Sequence, residues 1–337
     1  MIVYDLAWRG LGGIGRFSES ILKRLRLKND LIEIDLNAHP TSFIYMLKVL
    51  FTGLFYHNRS SVFFTPGFIP PIAGYKNFIF TMHDLNHVEI ADNSSRLKRL
   101  FYNIVVKGKC HKACKILTVS EFSRLNIIEW GNLDPKNVIN VGNGVDQGFS
   151  TRVAPFLPGY RYLLCVSNRK RHKNEARILL AFSKAMITND IKLVFSGVIS
   201  EELKLIIDEY QLAERVVFLG KISEDDLPCV YRGALGLVFP SLYEGFGLPV
   251  VEAMACGVPV LTSNTTSLPE VAGDSALLVN PESVDEIRVG IERLVHDETL
   301  RTELIAKGLE RAKLFSWDAV AARVQAVLDE VTSQYGK

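Results

Sequence analysis

One stretch of the chain decides the fold, and it runs Phe239-Pro-Ser-Leu-Tyr-Glu-Gly-Phe-Gly-Leu-Pro-Val-Val-Glu-Ala-Met-Ala-Cys-Gly-Val-Pro-Val-Leu-Thr262. The pattern predicts a strand that ends at Pro240, a glycine-bearing loop, and a helix that begins near Leu248 and is ended by Gly257 before the next strand. This order is typical of a parallel sheet covered by helices, in which ligands bind at the carboxyl ends of the strands. Free backbone N–H groups at the start of the helix would suit a diphosphate.

Two carboxylates belong to this stretch, Glu244 in the loop and Glu252 in the helix. Carboxylates are good acceptors for sugar hydroxyls, so the two can serve different parts of one ligand. The alternative is that both are ordinary solvated acids. It is disfavoured because the glycines and proline of the loop are costly to specify unless its geometry matters.

The same alternation of short apolar strands and helical stretches runs through the chain and predicts two parallel sheets. The strands predicted in the first half are Ile2–Leu6, Ile32–Leu36, Val62–Phe64, Phe78–Met82, Ile116–Val119 and Val138–Val141. Those predicted in the second half are Tyr162–Val166, Lys192–Phe195, Val216–Leu219, Gly236–Phe239, Val258–Leu261 and Ala276–Val279.

Two domains are the natural prediction for 337 residues, because this length exceeds what one hydrophobic core usually supports. The segment 142–160 is rich in glycine and proline and is interpreted as the linker. We therefore expect an N-terminal domain over 1–150, a C-terminal domain over 151–316 and a closing helix over 317–337. Apolar residues recur at helical spacing in that last segment.

Two further loops follow predicted strands. Arg169 and Lys173 come after the first strand of the second domain, where two cations can neutralise a diphosphate leaving group. Gly10-Leu-Gly-Gly-Ile-Gly15 satisfies the dinucleotide-binding fingerprint, with Glu33 and Asp35 near the expected distance for a ribose-binding acid. An NAD-binding domain is therefore one alternative, although short glycine motifs have a high false-positive rate.

The chain resembles the retaining glycosyltransferases of family 4, whose hallmark is a Glu, seven intervening residues and a second Glu. Glu244 and Glu252 have this spacing. The resemblance covers nearly the whole chain, and its other segments are Gly12-Gly-Ile-Gly-Arg16, Thr81-Met-His-Asp84, Val119-Ser-Glu-Phe-Ser123, Asn143-Gly-Val-Asp146, Ser267-Leu-Pro-Glu-Val-Ala-Gly273 and Leu278-Val-Asn-Pro281.

The resemblance implies an α/β protein with the GT-B fold, two Rossmann-like domains whose parallel sheets face each other across an interdomain cleft. In this fold, residues 1–150 would form the acceptor-side domain and residues 151–316 the nucleotide-sugar donor domain. It implies a hexosyltransferase that moves a sugar from a nucleotide-diphosphate donor with retention of configuration. The residues it places in catalysis are His83, Glu244, Arg169 and Lys173. Those it places in donor binding are Gly12, Gly13, Arg169, Lys173, Gly245, Phe246, Gly247, Leu248 and Glu252.

GDP-mannose is the expected donor, because the Gly-Gly-Ile-Gly-Arg and His-Asp-Leu segments are similar to those of bacterial mannosyltransferases. A saccharide or lipid-linked oligosaccharide is the expected acceptor, as in polysaccharide or lipopolysaccharide synthesis. The alternatives are a UDP-hexose-dependent transferase, a nucleotide-sugar epimerase on the same fold and a non-catalytic subunit of this fold.

No cofactor or catalytic metal is expected, since positive side chains can replace a metal at the diphosphate. The acids of Glu224-Asp-Asp226 are explained by helix capping and the helix dipole. Cys110 and Cys114 have no second pair nearby to complete a zinc site.

The chain is predicted to be a cytoplasmic enzyme with no nucleic-acid partner. Met1 is followed directly by strand-like residues, so we expect no signal peptide, and the apolar stretch Phe43–Tyr56 is too short to span a bilayer. Residues 1–150 carry 18 Lys and Arg against 12 Asp and Glu, and the rest carry 21 against 25. With the acid-free basic segment from Arg96 to Lys115, this favours peripheral contact of the N-terminal domain with the cytoplasmic membrane.

Overall fold

The computed structural model describes residues 1–56, 61–89 and 96–335. The chain divides into two compact units, and each contains one six-stranded sheet with parallel strand pairs. Unit 1 comprises Met1–Gly144 and Ser316–Lys337, and unit 2 comprises Val145–Phe315.

Unit 1 has the strand order β2-β1-β3-β4-β5-β6. The strands are β1 (Ile2–Asp5), β2 (Leu31–Ile34), β3 (Val62–Thr65), β4 (Phe78–Thr81), β5 (Lys115–Thr118) and β6 (Val138–Asn140). Its helices are α1 (Gly12–Leu25), α2 (Phe43–Tyr56), α3 (Asn86–Glu89), α4 (Arg96–Phe101), α5 (Lys107–Cys110) and α6 (Glu121–Gly131), and a π-helical turn (Tyr102–Val106) joins α4 to α5. The central strands β1, β3 and β4 are buried along their whole length, as expected of a sheet covered on both faces.

Unit 2 has the strand order β12-β11-β10-β7-β8-β9. The strands are β7 (Arg161–Cys165), β8 (Ile191–Phe195), β9 (Val216–Phe218), β10 (Gly236–Phe239), β11 (Val260–Ser263) and β12 (Leu277–Val279). Its helices are α7 (Glu175–Lys184), α8 (Glu201–Glu209), α9 (Leu227–Gly233), α10 (Leu248–Ala255), α11 (Leu268–Ala272), α12 (Val284–His296) and α13 (Glu298–Ala312).

Each sheet reverses its strand order once, between β1 and β3 in unit 1 and between β7 and β10 in unit 2. Neighbouring crossovers leave toward opposite faces at such a point, so a crevice opens at the carboxyl ends of the two strands. The glycine loop follows β1, the basic loop with Arg169 and Lys173 follows β7, and the loop with Glu244 follows β10, whereas His83 follows β4.

The helix α14 (Trp317–Tyr335) belongs to unit 1 although it ends the chain. It packs on α1 and buries an apolar stripe at helical spacing, as predicted. The buried residues of this stripe are Trp317, Val320, Ala321, Val324, Val327, Leu328 and Val331.

Within the described ranges, no helix combines the length and the apolar character that are needed to cross a bilayer. The longest apolar stretch forms α2, which has 14 residues. At ~1.5 Å per residue it is far shorter than the ~30 Å hydrocarbon layer.

Candidate active site

The loops that follow β7 and β10 meet at the strand-order reversal of unit 2. The Asn174 side-chain amide donates to the carbonyl oxygens of Pro240 at 2.9 Å and Pro281 at 2.6 Å. The Leu242 N–H donates to the His172 carbonyl oxygen at 2.7 Å. Because Asn174 is buried, these bonds fix the two loops against each other.

Lys173 and Glu244 come together across this junction. The Lys173 Nζ lies 2.6 Å from Glu244 Oε1, and the two side chains are only 14% and 12% exposed. The ammonium also lies 5.0 Å from the ring centroid of Phe239, the last residue of β10. A largely buried cation, paired with a carboxylate, therefore lies at the carboxyl edge of the sheet, where an anionic ligand would bind.

Residues 244–248 are held by the loop that follows β11. Ser267 Oγ lies 2.9 Å from the Glu244 carbonyl oxygen and 3.0 Å from that of Phe246. Gly247 has φ of +103° and precedes the first residue of α10, Leu248. A Cβ at Gly247 would lie 2.6 Å from Leu268 Cδ2. The backbone angle therefore requires glycine here, and any added side chain would also have to displace the end of the Leu268 side chain.

The Arg169 guanidinium is engaged by other groups than those around Lys173. It donates to the carboxylate of Glu175, to the Ser196 carbonyl oxygen and, through Nε, to the Val198 carbonyl oxygen at 2.7 Å. Its carbon lies 5.1 Å from the centroid of the Phe218 ring. Three of the five N–H donors of an arginine are thus used within the protein, and the group is held rather than free.

Glu252 lies in α10 and is only 3% exposed, so it is not a solvated helix residue. The hydroxyl of Tyr231, in α9, donates to Glu252 Oε2 at 2.8 Å. A buried carboxylate needs such partners, because an unsatisfied charge would be costly there. The two hallmark glutamates therefore have different surroundings, Glu244 beside a lysine and Glu252 beside a tyrosine.

The glycine loop of unit 1 follows β1 at the other strand-order reversal. Gly12, with φ of +58°, and Gly13 begin α1. Asp5 fixes the start of the loop, since its 1% exposed carboxylate accepts from Tyr45 Oη at 2.6 Å, Thr65 Oγ1 at 2.8 Å and the Ala7 N–H at 3.0 Å. Burial raises the pKa of Asp5.

Glu33, which an NAD site would require, instead forms two bonds with Arg26, at 2.6 and 2.5 Å. The neighbouring guanidinium lowers the pKa of Glu33. This carboxylate is thus already engaged by a cation of its own unit.

His83 follows β4 in unit 1. Its Nε2 lies 2.9 Å from the Pro66 carbonyl oxygen, a bond in which the ring nitrogen must donate, and Phe17 contacts the ring edge to face at a centroid distance of 5.1 Å. Desolvation lowers the pKa of His83, so the neutral imidazole is favoured at neutral pH.

Sequence reasoning did not single out Tyr231, Asn174, Glu175 or Asp5. Asn174 and Glu175 directly follow Lys173, so a closer examination of the basic loop could have included them. Tyr231 and Asp5 reach their partners across sequence separations of 21 and up to 60 residues. No local pattern reveals such contacts.

Comparison with known proteins assigns this geometry to a family. Residues 149–311 match the family of glycosyl transferases group 1. The O-antigen chain mannosyltransferase B of Escherichia coli is 30% identical over 359 residues, which cover 91% of this chain and 93% of that protein.

Two solved structures with the GT-B fold superpose on the chain. Sucrose-phosphate synthase from Thermosynechococcus elongatus has a TM-score of 0.80 at 20% identity, over 99% of both chains. HepE of Anabaena, in complex with UDP and glucose, has a TM-score of 0.76 at 16% identity, over 98% of this chain and 99% of that one.

The chain belongs to the group 1 glycosyltransferases. The predicted GT-B fold and the predicted hexosyltransferase activity are thereby confirmed. The individual roles of the site residues remain predictions that rest on the geometry described above.

Proposed function

We propose that this chain is a retaining mannosyltransferase that uses GDP-mannose and extends a saccharide or lipid-linked acceptor in O-antigen or related polysaccharide synthesis. The observation that carries the proposal is the Lys173–Glu244 pair at the strand-order reversal of unit 2, which offers one group for a phosphate and one for a sugar. The choice of mannose is supported by the full-length similarity to an O-antigen chain mannosyltransferase.

The proposed mechanism divides the reaction among the charged residues. Arg169 and Lys173 stabilise the nucleoside diphosphate as it leaves, because negative charge grows on it in the transition state. Glu244 holds sugar hydroxyls and the developing positive charge, and Glu252 binds the ribose. His83 acts near the reacting sugar, where Nδ1 of its neutral imidazole can accept a hydrogen bond, since Nε2 donates to the Pro66 carbonyl oxygen. The acceptor hydroxyl attacks the face from which the diphosphate departs and gives its proton to an oxygen of the departing diphosphate, without a glycosyl-enzyme intermediate.

The donor is tested by thermal unfolding in the presence of GDP, UDP, GDP-mannose and UDP-hexoses, because a ligand of the folded state raises its apparent stability. GDP and GDP-mannose should raise the melting temperature most. UDP-glucose is the runner-up, which the UDP complex of HepE motivates. A shift with uridine nucleotides alone would overturn the choice of GDP-mannose.

The epimerase alternative is separated by incubating the donor without acceptor. An epimerase would release a new sugar nucleotide, whereas a transferase should release at most free sugar and nucleoside diphosphate by slow hydrolysis. Accumulation of an altered sugar nucleotide would contradict transfer as the function.

We further propose that catalysis needs no divalent metal, because the two cations of the β7 loop can balance the diphosphate charge. Turnover should be the same in EDTA and in magnesium. A complete loss in EDTA that magnesium restores would contradict this.

A peripheral membrane contact is proposed for unit 1 on the basis of α2. Six apolar residues at helical spacing are solvent-exposed on this helix, while Tyr45, Val49 and Gly53 face the core. The exposed residues are Phe43, Ile44, Leu47, Phe51, Leu54 and Phe55, with exposures from 39% to 83%. A large exposed apolar face indicates an interaction surface, and the exposed cations of α4 favour an anionic membrane. Lys115 is excluded from this argument because it pairs with Glu330 at 2.9 Å.

Sedimentation with vesicles tests the contact. The chain should bind phosphatidylglycerol-containing vesicles better than neutral ones at low salt, and Phe51→Glu with Phe55→Glu should abolish binding. The matched control is Leu205→Glu, an equally exposed leucine on α8 of unit 2. Equal binding by the double variant and the control would remove α2 from the proposal.

A further inference from the structure

The buried bond between Tyr231 and Glu252 links two helices of unit 2. Tyr231 is 0% exposed and Glu252 is 3% exposed, and the hydroxyl lies 2.8 Å from Oε2. Since the carboxylate accepts here, the tyrosine must donate.

The helix that carries Tyr231 is itself fixed. Tyr162 Oη donates to the Val230 carbonyl oxygen at 2.7 Å, and the Phe156 N–H donates to the Cys229 carbonyl oxygen at 2.9 Å. A Cβ at Gly233 would lie 2.1 Å from the Phe156 carbonyl oxygen, so the end of α9 packs directly on backbone. Tyr231 therefore presents its hydroxyl from a rigid support.

We infer that Tyr231 is a positioning residue, which orients the Glu252 carboxylate for the two hydroxyls of the donor ribose. The inference rests on the proposed ribose-binding role of Glu252. A glutamate has three rotatable bonds, and a hydroxyl pair requires a defined direction of the carboxylate oxygens. A donor fixed on α9 removes that freedom before the ligand arrives, which reduces the entropic cost of binding.

A purely structural role for the same bond predicts a different result. In that case Tyr231→Phe would lower the stability of the protein and leave ligand recognition unchanged. The two roles are therefore separated by a measurement of ribose recognition rather than of stability.

The test compares the Kd of GDP with that of 2′-deoxy-GDP and 3′-deoxy-GDP by calorimetry, with the matching uridine nucleotides in parallel. The wild-type chain should bind at least one deoxy analogue more weakly, because Glu252 then loses a hydroxyl partner. Tyr231→Phe should weaken GDP binding by about 3- to 10-fold and reduce this deoxy discrimination, since the bond it removes is to a charged group but acts on the ligand only indirectly. In steady-state kinetics the donor KM should rise and kcat should stay within about twofold.

Tyr75→Phe is the matched control. It also removes one hydroxyl bond of a buried tyrosine, to Thr52 Oγ1 at 3.2 Å, but it lies in unit 1 and leaves α9 and the Tyr231–Glu252 pair in place. It should lose a similar amount of thermal stability and keep the wild-type Kd values.

Glu252→Gln separates this inference from the function on which it rests. If Glu252→Gln abolishes deoxy discrimination and Tyr231→Phe does not change it, the positioning role is wrong and the ribose role stands. If Glu252→Gln leaves the discrimination intact, the ribose role itself is wrong. The double variant Tyr231→Phe with Glu252→Gln should lose clearly less GDP-binding free energy than the two single variants combined, because both substitutions disrupt the same hydrogen-bonded pair.

Discussion

Glu244 and Lys173 form an ion pair, and this pairing determines what the loss of Glu244 should do. Glu244→Ala should lower kcat by about 100-fold, because an electrostatic stabiliser of the positively charged sugar is lost. The affinity for nucleoside diphosphate should be kept or increased, because the Glu244 carboxylate no longer competes with a phosphate for the Lys173 ammonium. Steady-state kinetics and calorimetry with GDP and UDP measure both effects.

Glu252→Ala is the variant to compare with Glu244→Ala. Its proposed partner, the ribose, changes little during the reaction, so the donor KM should rise while kcat changes much less. The reverse pattern, with a kcat defect in Glu252→Ala and a KM defect in Glu244→Ala, would mean that the two roles are exchanged.

The sequence predicts the charged residues of this site but not how they are held. Glu244, Lys173 and their loops could be identified because each follows an apolar strand, where parallel sheets bind ligands. The bond from Tyr231 to Glu252 could not be predicted, because it joins two helices whose packing depends on the whole of unit 2. The same holds for the engagement of Arg169 by the Ser196 and Val198 carbonyl oxygens.

The β10–loop–α10 element depends on one backbone angle. Gly247→Ala would force a side chain into φ of +103° and place its Cβ 2.6 Å from Leu268 Cδ2. We expect a loss of about 1–3 kcal/mol of unfolding free energy from backbone strain alone. The start of α10 should also shift, and nucleoside diphosphate affinity should fall. Urea unfolding and calorimetry measure the two losses.

Gly148→Ala is the control for this element. Gly148 also lies in unit 2 and has no positive φ, and a Cβ added there would meet open space, with no neighbour within 4 Å. The same substitution should there be neutral or stabilising by about 0.4–1 kcal/mol, through the unfolded state. Equal stability of both variants would show that the Gly247 conformation relaxes at no cost.

All twelve predicted strands are present, because short apolar runs bounded by glycine, proline and polar residues are a strong signal in parallel sheets. Their ends agree with the predicted ones to within two residues. The strand predicted at Val258–Leu261 begins at Val260, because Pro259 has no N–H to donate to the sheet. The strand extends to the polar Ser263, whose hydroxyl donates a hydrogen bond to the Ser241 carbonyl oxygen. The pattern of apolar residues could not predict this long-range contact. The acids 224–226 form a turn before α9 rather than its first turn, and the helix begins at Leu227.

The chain leaves unit 1 after Gly144 and returns to it at Ser316. Unit 1 therefore depends on the last helix, whereas unit 2 is one continuous segment. Removal of residues 316–337 would take away six large buried side chains, those of Trp317, Val320, Val324, Val327, Leu328 and Val331. At about 1.5–3 kcal/mol each, their burial is worth on the order of 10 kcal/mol, which is comparable to the total stability of a typical domain.

The truncated chain 1–315 should therefore lose the fold of unit 1 and keep that of unit 2. The three tryptophans of the chain, Trp8, Trp130 and Trp317, all belong to unit 1, so fluorescence reports on that unit alone. Emission from the two that remain should shift to the red. The proposal assigns nucleoside diphosphate binding mainly to unit 2. The Kd for nucleoside diphosphate should therefore stay within about threefold of that of the intact chain, because the residues of unit 2 that bind it lie in one uninterrupted segment.

Leu328→Ala is the milder form of the same experiment, since it leaves Trp317 in place and should cost about 2–5 kcal/mol. Ser333→Ala, an exposed position on the same helix, is its control. If unit 1 unfolds first, the fluorescence midpoint of Leu328→Ala should lie at a lower urea concentration than that of the wild type. The urea concentration at which GDP no longer protects unit 2 from proteolysis should then stay the same. A common shift of both midpoints would show that the units unfold as one, and the donor site would then depend on α14 for its stability.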